Sequence, residues 1–182
     1  MTEYRATTPP ELAAIGTELN AALAEFDQGA FRALAAAFAD PATRWFFSGQ
    51  GRSGLVARMA AMRFMHAGFI CHVAGEATAP SVRRGDRLLL ISKSGETPVS
   101  LSQARIARAE GAFVLALSAS PASALAQTAD LMIPIPTAPT RQFGGSQFEQ
   151  ACLIVLDAAV LNLTGGREDI YRTMALRHTN LQ

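Results

Sequence analysis

The stretch Leu88-Leu89-Leu90-Ile91-Ser92-Lys93-Ser94-Gly95-Glu96-Thr97-Pro98 runs from an unbroken apolar segment into a Gly/Ser turn and then to a proline suited to open a helix. A second stretch, Trp45-Phe46-Phe47-Ser48-Gly49-Gln50-Gly51-Arg52-Ser53-Gly54, is built the same way and leads into another helical pattern. Continuous apolar runs, rather than alternating ones, mark strands covered on both faces, which is the habit of parallel sheets. Strands are predicted at residues 44–48, 69–73, 87–91, 113–117 and 131–135. Helices are predicted at 28–38, 52–66, 98–110, 122–127, 147–163 and 168–177. A further helix is opened by Pro9-Pro10 and carries Leu12, Ile15, Leu19 and Leu23 at helical spacing. Asp40-Pro41 breaks one helix, and Gly68, Gly111 and Gly165-Gly166 close others. Strands alternating with helices predict an α/β fold: a three-layer sandwich with a five-stranded parallel sheet flanked by helices and joined by right-handed crossovers.

The 182 residues fit a single domain over 1–182, with N-terminal helices at 9–39 and a tail at 167–182 packing on it or on a neighbour. A net charge of +1 speaks against a nucleic-acid partner, which calls for a clustered basic face. Met1-Thr2-Glu3-Tyr4-Arg5 lacks the basic and apolar regions of a signal peptide. The longest apolar stretch, 151–163, contains Asp157 and is too short to span a bilayer. A soluble, cytoplasmic protein with no membrane partner is expected. Cys71 and Cys152 lie in apolar runs and read as buried thiols, and no His/Cys spacing points to a metal. The helices at 52–66 and 147–163 lack a clear polar face, so a homo-oligomer in which other subunits cover them is expected. The alternative is a central helix shielded by the N-terminal helices.

Both Gly/Ser turns fall where a parallel sheet binds ligands, at the carboxyl ends of strands. Backbone N–H groups and hydroxyls packed at a helix N-terminus suit a phosphate. The first turn, with Ser48, Gly51, Arg52 and Ser53, is neither a dinucleotide fingerprint nor a P-loop. Its third glycine comes too early, and Gly-Lys-Ser/Thr is missing. Arg52 offers a charge-assisted contact. In the second turn Ser92, Ser94 and Thr97 put three hydroxyls around one helix start, where capping accounts for one. Lys93, Gly95 and Glu96 complete that turn. A phosphorylated small molecule is the expected ligand.

The Ser-x-Ser-Gly-Glu-Thr turn resembles the sugar isomerase (SIS) domain family. Further segments resemble the 6-phospho-3-hexuloisomerases within it: Gly51-Arg52-Ser53-Gly54, Ala61-Met62-Arg63-Phe64-Met65-His66, Gly75-Glu76-Ala77-Thr78-Ala79-Pro80, Phe148-Glu149 and Arg177-His178-Thr179-Asn180-Leu181. Departures are Lys93 for a usual glycine, Ser146 for threonine and Gln182 for glutamate. The resemblance implies interconversion of D-arabino-3-hexulose 6-phosphate and fructose 6-phosphate through an enediol, with no metal or organic cofactor. It implies Glu149 as the base that moves the carbon-bound proton, and His178 as a shuttle between oxygens, in its own or a neighbour's site. Gly145, just before the helix of Glu149, is expected against the substrate. By the same analogy the oligomer is a tetramer, and the pathway is formaldehyde fixation by the ribulose monophosphate route. Alternatives are another phosphosugar isomerase or a non-catalytic phosphosugar-binding SIS protein.

Overall fold

The computed structural model describes residues 8–180; Leu181 and Gln182 of the tail, and Met1 to Arg5, lie outside the described residues. In chain order the elements are α1 (Pro10–Ala24), α2 (Gln28–Ala37), β1 (Arg44–Gly49), α3 (Gly51–His66), β2 (Ile70–Val73), β3 (Arg87–Ile91), α4 (Pro98–Ala109), β4 (Phe113–Ser118), α5 (Ala124–Thr128), β5 (Leu131–Pro134), α6 (Ser146–Thr164) and α7 (Glu168–Arg177). The five strands form one sheet in the order β2-β1-β3-β4-β5, every pair parallel. The expected three-layer α/β architecture is therefore present.

The pleat explains the apolar runs. Trp45, Phe47, Leu89, Ile91, Leu115, Leu117 and Ile133 point to one face and pack with α2, α3 and α6. Phe46, Leu88, Leu90, Val114 and Ala116 point to the other face, toward Ala104 and Ala107 of α4 and Leu125 of α5. Successive residues alternate faces, and both faces are dry, so each central strand reads as uniformly apolar. The first core is anchored by aromatic stacking, with Phe38 on Trp45 at 3.8 Å and on Phe64 at 4.1 Å between ring centroids. Strand β2 is an edge and stays partly open, with Ile70 exposed.

The chain leaves β1 toward β2 on one side and returns to β3 on the other. The strand order thus reverses between β1 and β3, where Gly49 pairs with Ile91. The turns that follow these two strands open side by side at this switch point, the crevice in which open α/β sheets bind ligands.

Helix α6 corrects one expectation. It is not apolar-buried all round through other subunits alone: α1, α2 and α3 of the same chain pack on it and cover Phe148, Ala151, Cys152, Val155, Leu156 and Ala159. Ile154 and Leu161 remain exposed. On α3, Leu55, Met59 and Met62 form an exposed stripe at helical spacing. Both cysteines are free thiols, Cys152 buried and Cys71 half-buried, and burial pushes the Cys71 thiol up to about 12.

Candidate active site

The β1–α3 turn is tight. A β-carbon on Gly54 would lie 2.7 Å from the carbonyl oxygen of Gly49, so glycine alone lets the helix start this close to the strand end. Among the described residues no side chain caps α3 at Gln50 or α4 at Thr97. Their first N–H groups therefore have no capping side chain as acceptor. The hydroxyls of the second turn organise it instead of capping. Ser92 Oγ and Thr97 Oγ1 are 3.2 Å apart, Gly95 N–H donates to Ser92 Oγ at 3.2 Å, and Glu96 N–H donates to Ser94 Oγ at 3.2 Å. Gly95, at φ +66°, makes this reversal possible.

A cavity of about 370 Å³ sits over these turns, lined by Gln50, Ser53, Ile91, Ser92, Lys93, Ser94, Thr97, Ala119 and Ser120. It brings together Ser53, Ser92, Lys93, Ser94 and Thr97 of the expected site. Ala119 and Ser120 come from the β4–α5 turn, which sequence reasoning missed. The signal was present, because Ser118-Ala119-Ser120 repeats the Ser-x-Ser spacing of Ser92 and Ser94 at the end of the next strand. That turn is tied to the second one: Ser118 Oγ and the Ala119 N–H both donate to the Lys93 carbonyl, at 3.0 and 3.1 Å.

Two expected ligand contacts are engaged elsewhere. Ser48 is buried, and its hydroxyl donates to Gln103 Oε1 of α4 at 2.7 Å, so of the two first-turn serines it is Ser53 that faces the cavity. Glu96 turns away and accepts the Ala124 N–H at 2.8 Å, supporting the start of α5.

Glu149 stands in the first turn of α6, whose N-cap, Gly145, has no side chain to offer. Its carboxylate Oε2 accepts from Arg52 Nε of α3. The Glu149 side chain is only 12% exposed and the Arg52 side chain 64% exposed. The carboxylate is thus enclosed while the guanidinium reaches outward, and neither residue is among those that line the cavity. A β-carbon on Gly145 would lie 3.5 Å from Glu149 Oε1 and 3.6 Å from Lys93 Cδ, so Gly145 separates the carboxylate from the lysine stem. Three residues on, the Cys152 thiol is pushed well up by burial and by the nearby Glu149 charge. A thiol held protonated is no nucleophile for this site.

His178 is not brought to this site within one chain. Its ring stacks on His66 at 5.2 Å between centroids, at the far end of α3 from Arg52. A helix of 16 residues spans about 24 Å at a rise of about 1.5 Å per residue. Gly51 adopts φ +57° at the opposite, cavity-facing end of that helix. Glu76 pairs with Arg58 at 2.6 Å, outside the cavity lining. Among the described residues no group of three or more His, Cys, Asp or Glu is gathered as a metal site, and no single helix is long and apolar enough to cross a membrane.

Residues 39–162, from just before β1 into the last turns of α6, match the SIS domain. The chain belongs to the SIS domain family. Among its relatives is a 3-hexulose-6-phosphate isomerase of Mycobacterium gastri, 42% identical in an alignment 147 positions long that covers 76% of this chain and 74% of that protein. Another relative of the same name, from Bacillus subtilis, is 38% identical in an alignment 146 positions long that covers 75% of this chain and 79% of that protein. Among solved SIS structures, a protein of Methanococcus jannaschii superposes with a TM-score of 0.82 at 29% identity, covering 96% of this chain and 100% of that one. Its crystal structure was described as inferring a function of 3-hexulose-6-phosphate isomerase. The SIS match contains both Gly/Ser turns and Glu149; it leaves α1, α2 and α7 outside.

Proposed function

We propose that this protein is a 3-hexulose-6-phosphate isomerase, interconverting D-arabino-3-hexulose 6-phosphate and fructose 6-phosphate. The observation that carries the reading is the nearness of two parts at one switch point: a hydroxyl-lined cavity fit for a phosphate, and an enclosed carboxylate that Gly145 separates from the stem of the cavity's Lys93. The relatives of that name supply the substrate.

In this reading the phosphate sits among Ser53, Ser92, Ser94 and Thr97, against the uncapped starts of α3 and α4, with the Lys93 ammonium nearby. Hydroxyls and helix N-termini hold a dianion while letting it leave. Gly51, Gly95 and Gly145 keep the backbone close to the sugar phosphate, and Arg52 contacts a sugar oxygen or the phosphate while orienting Glu149.

The reaction moves a carbonyl from C3 to C2. Glu149 takes the proton from C2, the electron pair forms the 2,3-enediol, and the same carboxyl returns the proton to C3. The oxygen-bound proton passes from O2 to O3. His178 of a neighbouring subunit is assigned that transfer, because imidazole both donates and accepts near neutral pH. Its distance from Glu149 within one chain supports a shared site. The chain as a whole, 1–182, is read as one SIS unit in a cytoplasmic homotetramer serving formaldehyde fixation by the ribulose monophosphate route, with neither nucleic acid nor membrane as partner. The exposed stripe Leu55, Met59 and Met62 supports assembly.

The test is direct. Purified protein given the 3-hexulose 6-phosphate should form fructose 6-phosphate, read by a coupled assay, in the presence of a chelator. Tight binding of the sugar phosphate without turnover would move the chain to the non-catalytic phosphosugar-binding class.

A further inference from the structure

The segment joining β5 to α6 carries the chain into the turn that presents Glu149, yet little apolar packing holds it. Its tip, Phe143, is 95% exposed. The hold comes from α1. Thr140 Oγ1 donates to Glu18 Oε2 at 2.6 Å, the Arg141 N–H donates to Glu18 Oε1 at 3.1 Å, and Gln142 Nε2 donates to Glu18 Oε2 at 3.3 Å. Arg141 Nε adds an ion pair at 3.8 Å. The same residue acts through its backbone. The Glu18 carbonyl accepts from Gln147 Nε2 at 3.2 Å, and Gln147 Oε1 accepts the Ala138 N–H at 2.9 Å. Gln147 is 2% exposed and lies in the first turn of α6, two residues before Glu149.

One residue of α1 thus grips the segment at 140–142 and, through Gln147, the start of the helix that follows. The Thr140 hydroxyl first, then the Arg141 N–H, hold the Glu18 carboxyl below its usual range, so it stays an acceptor at neutral pH. Helix α1 lies outside the SIS match, which begins at residue 39. The grip is an addition to the matched region.

We propose that Glu18 is a positioning residue for Glu149, its carboxylate latching residues 140–142 and its carbonyl holding Gln147, so that α1 sets where the first turn of α6 stands beside the phosphate cavity. The proposal rests on the isomerase reading for the role of Glu149, and its test separates the two.

Glu18→Ala, Glu18→Gln and Thr140→Val are compared with wild type in two measurements. The first is limited trypsin digestion, with cleavage after Arg141 followed by mass spectrometry. The second is the steady-state isomerisation of fructose 6-phosphate. Glu18→Ala should speed cleavage after Arg141 about fivefold or more and lower kcat about tenfold, with KM changed by less than about twofold, as expected when a reacting group is misplaced while the groups that bind substrate stay intact. Glu18→Gln keeps an acceptor oxygen and should recover part of both. Thr140→Val, which removes one donor, should move both in the same direction and carries the test if Glu18→Ala does not fold. Faster cleavage with unchanged kcat overturns the positioning role, and unchanged cleavage overturns the latch. Faster cleavage in a protein whose wild type does not isomerise the sugar leaves the latch standing, and the positioning role falls with the isomerase reading.

Discussion

Arg52 and Glu149, 97 residues apart, are joined by a donor–acceptor contact from guanidinium Nε to carboxylate Oε2 that ties the first turn of α3 to the first turn of α6. The contact uses one oxygen of the carboxylate and one of the five donors of the guanidinium. Glu149 Oε1 and the terminal Arg52 nitrogens take no part in it. Neither residue is among those lining the cavity at Ser53, Ser92, Ser94 and Thr97, so in the proposed reading the groups that hold the phosphate are separate from the carboxylate that moves the proton.

That separation predicts distinct kinetic signatures. Ser94→Ala removes a cavity hydroxyl that within the chain accepts the Glu96 N–H. Substrate binding should weaken by about 1–3 kcal/mol, raising KM about 5- to 150-fold, with kcat little changed. Steady-state kinetics check it, and an unchanged KM in a folded variant would remove Ser94 from the phosphate contacts.

The turn that shapes the cavity depends on glycine. Gly95 adopts φ +66°, and a β-carbon there would lie 2.0 Å from Ser123 Oγ and 2.5 Å from Ser123 Cβ. Gly95→Ala combines a left-handed backbone with a steric clash and should cost about 2–4 kcal/mol. Urea unfolding would show the midpoint falling with the slope unchanged.

Stability should also fall in mild acid through His66. Burial first, then the positive charges of His178 and Arg63, lower its pKa from 6.5. The unfolded chain therefore takes up a proton on His66 at a higher pH than the folded chain does. Stability from neutral His66 is present above about pH 6.5 and is lost as pH falls below it. Thermal melts from about pH 8 to about pH 5 check this: the stability advantage of wild type over His66→Gln should shrink across that window.

Assembly gives a further test. Leu55, Met59 and Met62 leave an apolar stripe on α3 that stands exposed on the single chain. Light scattering at micromolar concentration should show no monomer of 19.3 kDa, and the double change Met59→Glu, Met62→Glu should shift the protein to smaller species. A monodisperse wild-type monomer would contradict both the assembly and a site shared through His178.

Much of this architecture is legible in the chain. Strand β3 and helix α7 have the bounds that apolar continuity and Gly punctuation predict, 87–91 and 168–177. A central strand covered on both faces leaves an uninterrupted apolar run, and such runs are hard to misread. The turns that line the cavity are legible for a related reason, because Gly and Ser cluster where strands end. What stays hidden is pairing across distance. The bond from Ser48 to Gln103 spans 55 residues, and the contact from Glu18 to Thr140 spans 122. Neither has a local periodicity. The coverage of α6 by α1 and α2 is the alternative that the sequence left open, since an all-apolar helix looks the same whether its own chain or another subunit covers it.

The central claim is that Glu149 moves a proton between neighbouring carbons. Glu149→Gln keeps the shape and most hydrogen bonding of the side chain and removes its basicity. Measured on fructose 6-phosphate, with binding followed separately by calorimetry, the variant should lose about 10²–10⁴-fold in kcat while its affinity stays within about threefold of wild type. Wild-type turnover by Glu149→Gln would contradict the account.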